Sequence, residues 1–187
     1  MVLEATSVST GNFSAEPCTD GSCRSIVTGY GIQFKRFGQG DYPEQLYGWN
    51  GSIATSGCGL CSVTSILTGY GYDVNPSIMN DKIEELGISW ANSGRWNKIK
   101  QLLEEYGITG EWKTTAGAQD IKTILQEAFS EGKPVIVRIG PNSVGPWTSG
   151  GGHYFGVIGE DNGTLYTVDS ANDNMDRLVN SGGIDAL

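Results

Sequence analysis

The chain has 187 residues, 38% of them hydrophobic, 28 glycines and a formal net charge of −9. That length fits one domain with its own core. The acidic balance excludes a phosphate-backbone binder, which needs fields of Lys and Arg, and opposes docking on an anionic membrane. Met1 to Ser7 lacks the basic and apolar regions of a signal peptide. No window reaches the roughly 18 apolar residues of a membrane span.

Residues 1–34 read as an N-terminal arm and 35–187 as the main domain. Ile26-Val27 and Ile32, Phe34 and Phe37 suggest short strand pieces around Gly29 and Gly31. Residues 38–57 hold little regular structure, and a loop of that length in a compact domain is often functional. Leu60, Val63, Ile66 and Leu67 then recur at helical spacing, with Gly69 and Gly71 as the stop. Asn75-Pro76 opens a second helix that ends at Gly87. Arg95 to Tyr106 and Gln119 to Ser130 are cleaner amphipaths, closed by Gly107 and Gly132. From Pro134 the period changes to two. Pro134 to Ile139, Tyr154 to Ile158 and Leu165 to Val168 read as strands, the last two joined by a turn at Asp161-Asn162-Gly163. Helices followed by antiparallel strands make an α+β pattern.

Cys58 stands in Gly57-Cys58-Gly59 at the start of a helix that is buried by composition. A helix N-terminus favours a thiolate, flanking glycines allow close approach, and the Cys58 amide can point into an oxyanion site. The local pattern equally fits a small buried hydrophobe. His153 is the sole histidine, behind three glycines at a strand start, where it can face an open cleft. Asp169 ends the return strand. Counting from the turn pairs Glu160 with Thr164, so the register drifts before His153, and a bulge would absorb the drift. Asp169 would then orient the imidazole and stabilise its cation; Asp161, Asp173 and Asp176 are weaker competitors.

The cysteines admit other readings. Cys58-x2-Cys61 fits a redox pair, although a thioredoxin-type motif follows a strand in a parallel arrangement and this one follows a glycine-rich loop. Cys18, Cys23, Cys58 and Cys61 match a four-thiolate zinc site. Cys18 and Cys23 otherwise form a local disulfide or stay free. Cys61 falls on the inward face of the helix.

Three stretches carry a family resemblance. They are Gly38-Gln39-Gly40-Asp41-Tyr42-Pro43 leading into Gly51 to Gly59, Asp73-Val74-Asn75-Pro76, and Gly151-Gly152-His153-Tyr154-Phe155-Gly156-Val157-Ile158-Gly159 leading to Val168-Asp169. Over about residues 35–170 the chain resembles the C39-like group of papain-fold cysteine peptidases. The resemblance implies a nucleophile helix packed on an antiparallel sheet, Cys58 as nucleophile, His153 as base and Asp169 as its orienter. It implies Gln39 as oxyanion donor, with Gln45 the second choice. Two positions depart from the family pattern: Leu60-Cys61 replaces Pro-Thr or Pro-Ser, and Asp169-Ser170 replaces Asp-Pro.

Acyl transfer of this kind needs no cofactor and no metal. The expected partner is a peptide or peptidoglycan-peptide substrate, with no nucleic acid and no membrane insertion. Similar proteins include peptide processors and cell-wall hydrolases. An acidic, Gly- and Asn-rich domain without transporter helices fits the catalytic part of a bacterial or phage wall-lytic enzyme, an endolysin. The alternative is a general or leader-processing protease. The expected location is extracellular or at the cell wall, reached by phage-type lysis, with a wall-binding module beyond residue 187. Tyr42, Tyr47, Trp49, Trp90 and Trp147 flank the chemistry as groove candidates, at least half of them expected to be core.

Overall fold

The computed structural model describes residues 1–3, 12–91, 95–114, 118–140, 152–171 and 179–180. Trp147, Asp173, Asp176 and the rest of 141–151 and 172–178 lie outside the described residues. The architecture is α+β. Ser14–Pro17 (β2), Ser25–Gly29 (β3) and Ile32–Arg36 (β4) form a three-stranded antiparallel sheet. A second, six-stranded sheet joins Val2–Leu3 (β1), Gly110–Glu111 (β5), Val135–Ile139 (β6), His153–Asp161 (β7), Thr164–Val168 (β8) and Val179–Asn180 (β9), in the order β5-β1-β6-β7-β8-β9. Every pairing in it is antiparallel.

The predicted helices form. Asn75 caps Pro76–Glu85 (α3) by accepting a 3.0 Å bond from the Ile78 amide, with Pro76 in the first turn. The stretch expected to be irregular holds a 3-10 turn at Gln39–Asp41 and a short helix, α1, at Ile53–Ser56.

The central helix α2 runs from Cys58 to Gly69, and all residues from Cys58 to Leu67 are buried. A helix buried on all sides needs partners all round. On one side lies the first sheet. Phe34 packs so close that a Cβ on Gly69 would sit 2.1 Å from its ring, and the Lys35 amide donates to Thr68 Oγ1 at 2.8 Å. On another lies β7, where a Cβ on Gly156 would meet Ile66 Cδ1 at 3.2 Å. Ile99 from Arg95–Glu105 (α4) and Trp90 close against Gly59. Ser62 and Thr64 are fully buried, yet their hydroxyls bond back to the carbonyls of Cys58 and Leu60 at 2.7 and 2.8 Å. Polar side chains thus enter the core already satisfied.

The far face of the large sheet is covered by Ala118–Ser130 (α5). Leu125, Ala128 and Phe129 meet Val135, Val137, Phe155, Val157 and Leu165. Strand β7 is therefore covered on both faces, which explains its near-continuous apolar run.

The β7–β8 hairpin turns on Asn162 and Gly163, both at positive φ, and pairs Asp161 with Thr164, one residue beyond the pairing counted from sequence. The bulge lies between Val157 and Gly159, leaving Ile158 as the extra residue. Beyond it Val168 faces Gly156, so Asp169 follows opposite Phe155 and shares a face with Phe155 and His153. Without the extra residue Asp169 would lie opposite Gly156 and point the other way. A Cβ on Gly156 would approach Val168 Cγ2 to 2.6 Å. Gly156→Ala should therefore destabilise the fold by about 1–3 kcal/mol through overpacking. The expected readout is a lower urea midpoint with unchanged slope; an unchanged midpoint would show that the hairpin tolerates the methyl.

Candidate active site

Cys58 is the first residue of α2 and follows Gly57, which also ends α1. The two helices nearly abut: the Gly57 amide donates to Ile53 O at 2.7 Å and the Cys61 amide to Gly57 O at 2.8 Å. A Cβ on Gly57 would stand 2.6 Å from the Ile53 carbonyl oxygen, which is backbone and cannot step aside. Gly59 differs from the sequence expectation. Its nearest neighbours would lie 3.4 Å away or more, an ordinary contact distance. Only the glycine before the cysteine is sterically required.

His153 opens β7 and Asp169 follows β8. Both are buried, with His153 Nε2 2.7 Å from Asp169 Oδ1. That oxygen also accepts the Ala171 amide at 2.8 Å, so Nε2 carries the proton of the pair. Nδ1 is left to face Cys58, and the two groups shift each other's pKa. Burial opposes charge on His153, but the hydrogen bonds to Asp169 and Cys58 outweigh it and raise its pKa to about 9. At Cys58 burial again disfavours the charged form. The hydrogen bond and charge of His153, the Tyr154 amide and the Arg95 cation outweigh it and bring the thiol below its ordinary value.

Cys61, one turn on, behaves oppositely. It is fully buried, and burial together with the Cys58 charge pushes its thiol well up. Cys58 and Cys61 are both free, whereas Cys18 and Cys23 are joined in a disulfide and supply no thiolates to a shared zinc site.

Gln39 is half-buried in the 3-10 turn. Its Nε2 donates to Ala54 O at 2.8 Å and its Oε1 accepts from Ser170 Oγ at 3.0 Å, while its own amide donates to Ser170 O at 2.9 Å. It is thereby tied to both the approach to Cys58 and the residue after Asp169. Gln45 is exposed and closes its own loop, bonding Trp49 O at 3.2 Å. Trp90 is fully buried and is core, correcting its place among groove candidates; Tyr42, Tyr47 and Trp49 are half-buried.

Other participants gave weaker signals in sequence. Buried Arg36, on β4, donates through Nε to the Asp169 carbonyl. Nothing in its local pattern separates it from an exposed strand arginine. Ser170 stood out only as a departure from the family pattern. Arg95 lies over the Trp49 ring, 4.8 Å from its centroid, and Trp49 Nε1 donates to Ser56 at 3.0 Å.

Gly57→Ala should lower stability by about 1–3 kcal/mol, and Gly59→Ala by less than half as much. Thermal melts of the two variants check this; equal losses would contradict it.

No curated protein and no solved structure matches the chain. The profile of the Peptidase_C39 like family matches residues 32–181, a span that holds Gln39, Cys58, His153 and Asp169 and begins with β4. Since that span is most of its length, the protein belongs to the Peptidase_C39 like family of peptidases.

Proposed function

We propose that the protein is a cysteine peptidase of papain-like fold that cleaves amide bonds in bacterial cell-wall peptides. The observation that carries the reading is the imidazole of His153, bonded through Nε2 to buried Asp169 and lying close enough to Cys58 for each group to shift the other's pKa. A low thiol pKa and a high imidazole pKa favour the thiolate–imidazolium pair near neutral pH.

In the proposed reaction the Cys58 sulfur attacks the amide carbonyl carbon. The new oxyanion is held by the Cys58 amide and by Gln39, whose Nε2 carries a second hydrogen beyond the one given to Ala54. As the C–N bond breaks, His153 gives its Nδ1 proton to the leaving amine. Water, deprotonated by His153, then attacks the thioester carbonyl, releases the carboxylic acid and restores the thiol group. Asp169 keeps the imidazole in the productive tautomer throughout.

The wall-peptide assignment rests on the acidic, glycine-rich chain and on its resemblance to wall hydrolases. Among the described residues no helix is long and apolar enough to cross a membrane. Such an enzyme would act at the wall, outside the cell. Digestion of purified muropeptides with mass analysis of the products tests it. Cleavage at one amide, absent in Cys58→Ala, is expected; cleavage of unrelated proteins with muropeptides intact would move the substrate to the general proteases.

Two further outcomes follow from the electrostatics. His153 has its pKa raised to about 9, so its protonated form is retained through neutral pH and lost as pH rises past that value. The rate should climb as Cys58 ionises and fall near pH 9, giving a bell-shaped kcat/KM profile. Asp169→Asn should move the alkaline limb to lower pH and cost about 10²–10⁴-fold in kcat. An alkaline limb that stays in place would remove Asp169 from the role.

A further inference from the structure

The net charge is −9, and several cations away from the site have acidic partners. Arg24 pairs with Asp41, Lys82 with Glu85, Lys100 with Glu104 and Lys133 with Glu131. Beside Cys58 the pattern reverses. Among the described residues Arg95 and Arg138 make no ion pair.

Their placement is fixed by packing. Ile99 Cδ1 and Tyr154 Cδ2 stand 3.4 and 3.7 Å from where a Cβ on Gly59 would be. Arg95 is one helical turn before Ile99 on α4, hence on the same face, turned toward the start of α2. Its guanidinium is held by the Trp49 ring, and Trp49 is in turn bonded to Ser56, two residues before the sulfur. From the other side Arg138, paired with Tyr154 across β6 and β7, lies over the Tyr154 ring at 5.9 Å from its centroid. Its Nη2 is 3.4 Å from the Cβ position of Gly152, the residue before His153. Arg95 thus lies on the Cys58 side, where its charge reaches the sulfur, and Arg138 lies over Tyr154 beside Gly152, the residue before His153. Aromatic rings hold both in place without neutralising either.

We propose that Arg95 and Arg138 form a carboxylate subsite, so that the substrate is a peptide with an anionic group close to the amide that is cut. The anion is assigned as a carboxylate because that is the anionic group peptides carry, and a guanidinium fork matches it. The carboxylate belongs either to an acidic side chain or to a free C-terminus. The same two cations repel a basic group and gain nothing from a neutral one, so selectivity arises from pairing with an anion.

The proposal rests on Cys58 as the attacking group but is testable without a known substrate. Iodoacetate and iodoacetamide alkylate the same sulfur and differ in one carboxylate. Their rate ratio at Cys58 cancels any change in thiolate fraction. In Arg95→Gln and Arg138→Gln the iodoacetate:iodoacetamide ratio should fall by several-fold, toward about tenfold in the double variant. An unchanged ratio in the double variant, with Cys58 still reactive, overturns the subsite and leaves the peptidase reading intact. A Cys58 no more reactive than an ordinary thiol overturns the peptidase reading instead. Quenched peptides with Glu or Gln beside the cut, and with free or amidated C-termini, separate the sources. Preference for Glu assigns a side chain, preference for the free C-terminus assigns the terminus, and indifference to both overturns the proposal.

Discussion

The contact between His153 Nε2 and Asp169 sets the terms for the rest of the molecule. A carboxylate and an imidazole this deeply buried survive only as partners. Bringing them onto one sheet face takes the extra residue at Ile158, because strand alternation alone sends Asp169 to the opposite face. Holding the chain after β8 in place takes residues from far upstream. Arg36 grips the Asp169 carbonyl, and Gln39 takes the Ser170 carbonyl with its amide and the Ser170 hydroxyl with its side chain. The small sheet is therefore a support for the reactive face of the large one. Its disulfide lies next to Arg24, which pairs with Asp41 in the turn that carries Gln39.

Two cysteines three residues apart on one helix reach opposite chemical states. Both are removed from water, so desolvation disfavours charge on each. Cys58 has the His153 and Arg95 cations, the Tyr154 amide and the open end of the helix directed at it, whereas Cys61 has only the Ser170 hydroxyl and its own amide. Cys61 faces the inside of the core, where its neighbour's negative charge adds to the penalty. Position relative to donors, rather than depth, separates the reactive thiol from the inert one.

Much of this was legible beforehand. The α2 stripe, the Asn75-Pro76 cap and the Asn-Gly turn are local signals, and each led to the element expected of it. The need for a bulge was also visible as a register that would not close. Its place was not, since Ile158 looks like any other residue of an apolar strand. The insertion of β1 between β5 and β6 was hidden for a related reason. A two-residue strand has no periodicity, and its pairing depends on partners more than a hundred residues away. Arg36 was missed because burial of a charged side chain is decided by tertiary packing. The cysteine disulfide was one of several allowed arrangements until the turn brought the two side chains together.

The bulge also has a consequence in time. Cys58, with its helix start, is made early in the chain, while its proposed partners His153 and Asp169 come more than ninety positions later. Contacts so distant in sequence form late in folding. A partly folded or prematurely terminated chain that stops before Asp169 has a thiol but no relay, and one that pairs β7 and β8 without the offset has the carboxylate on the wrong side. On the proposed chemistry, the reactive set is complete only when the sheet is complete.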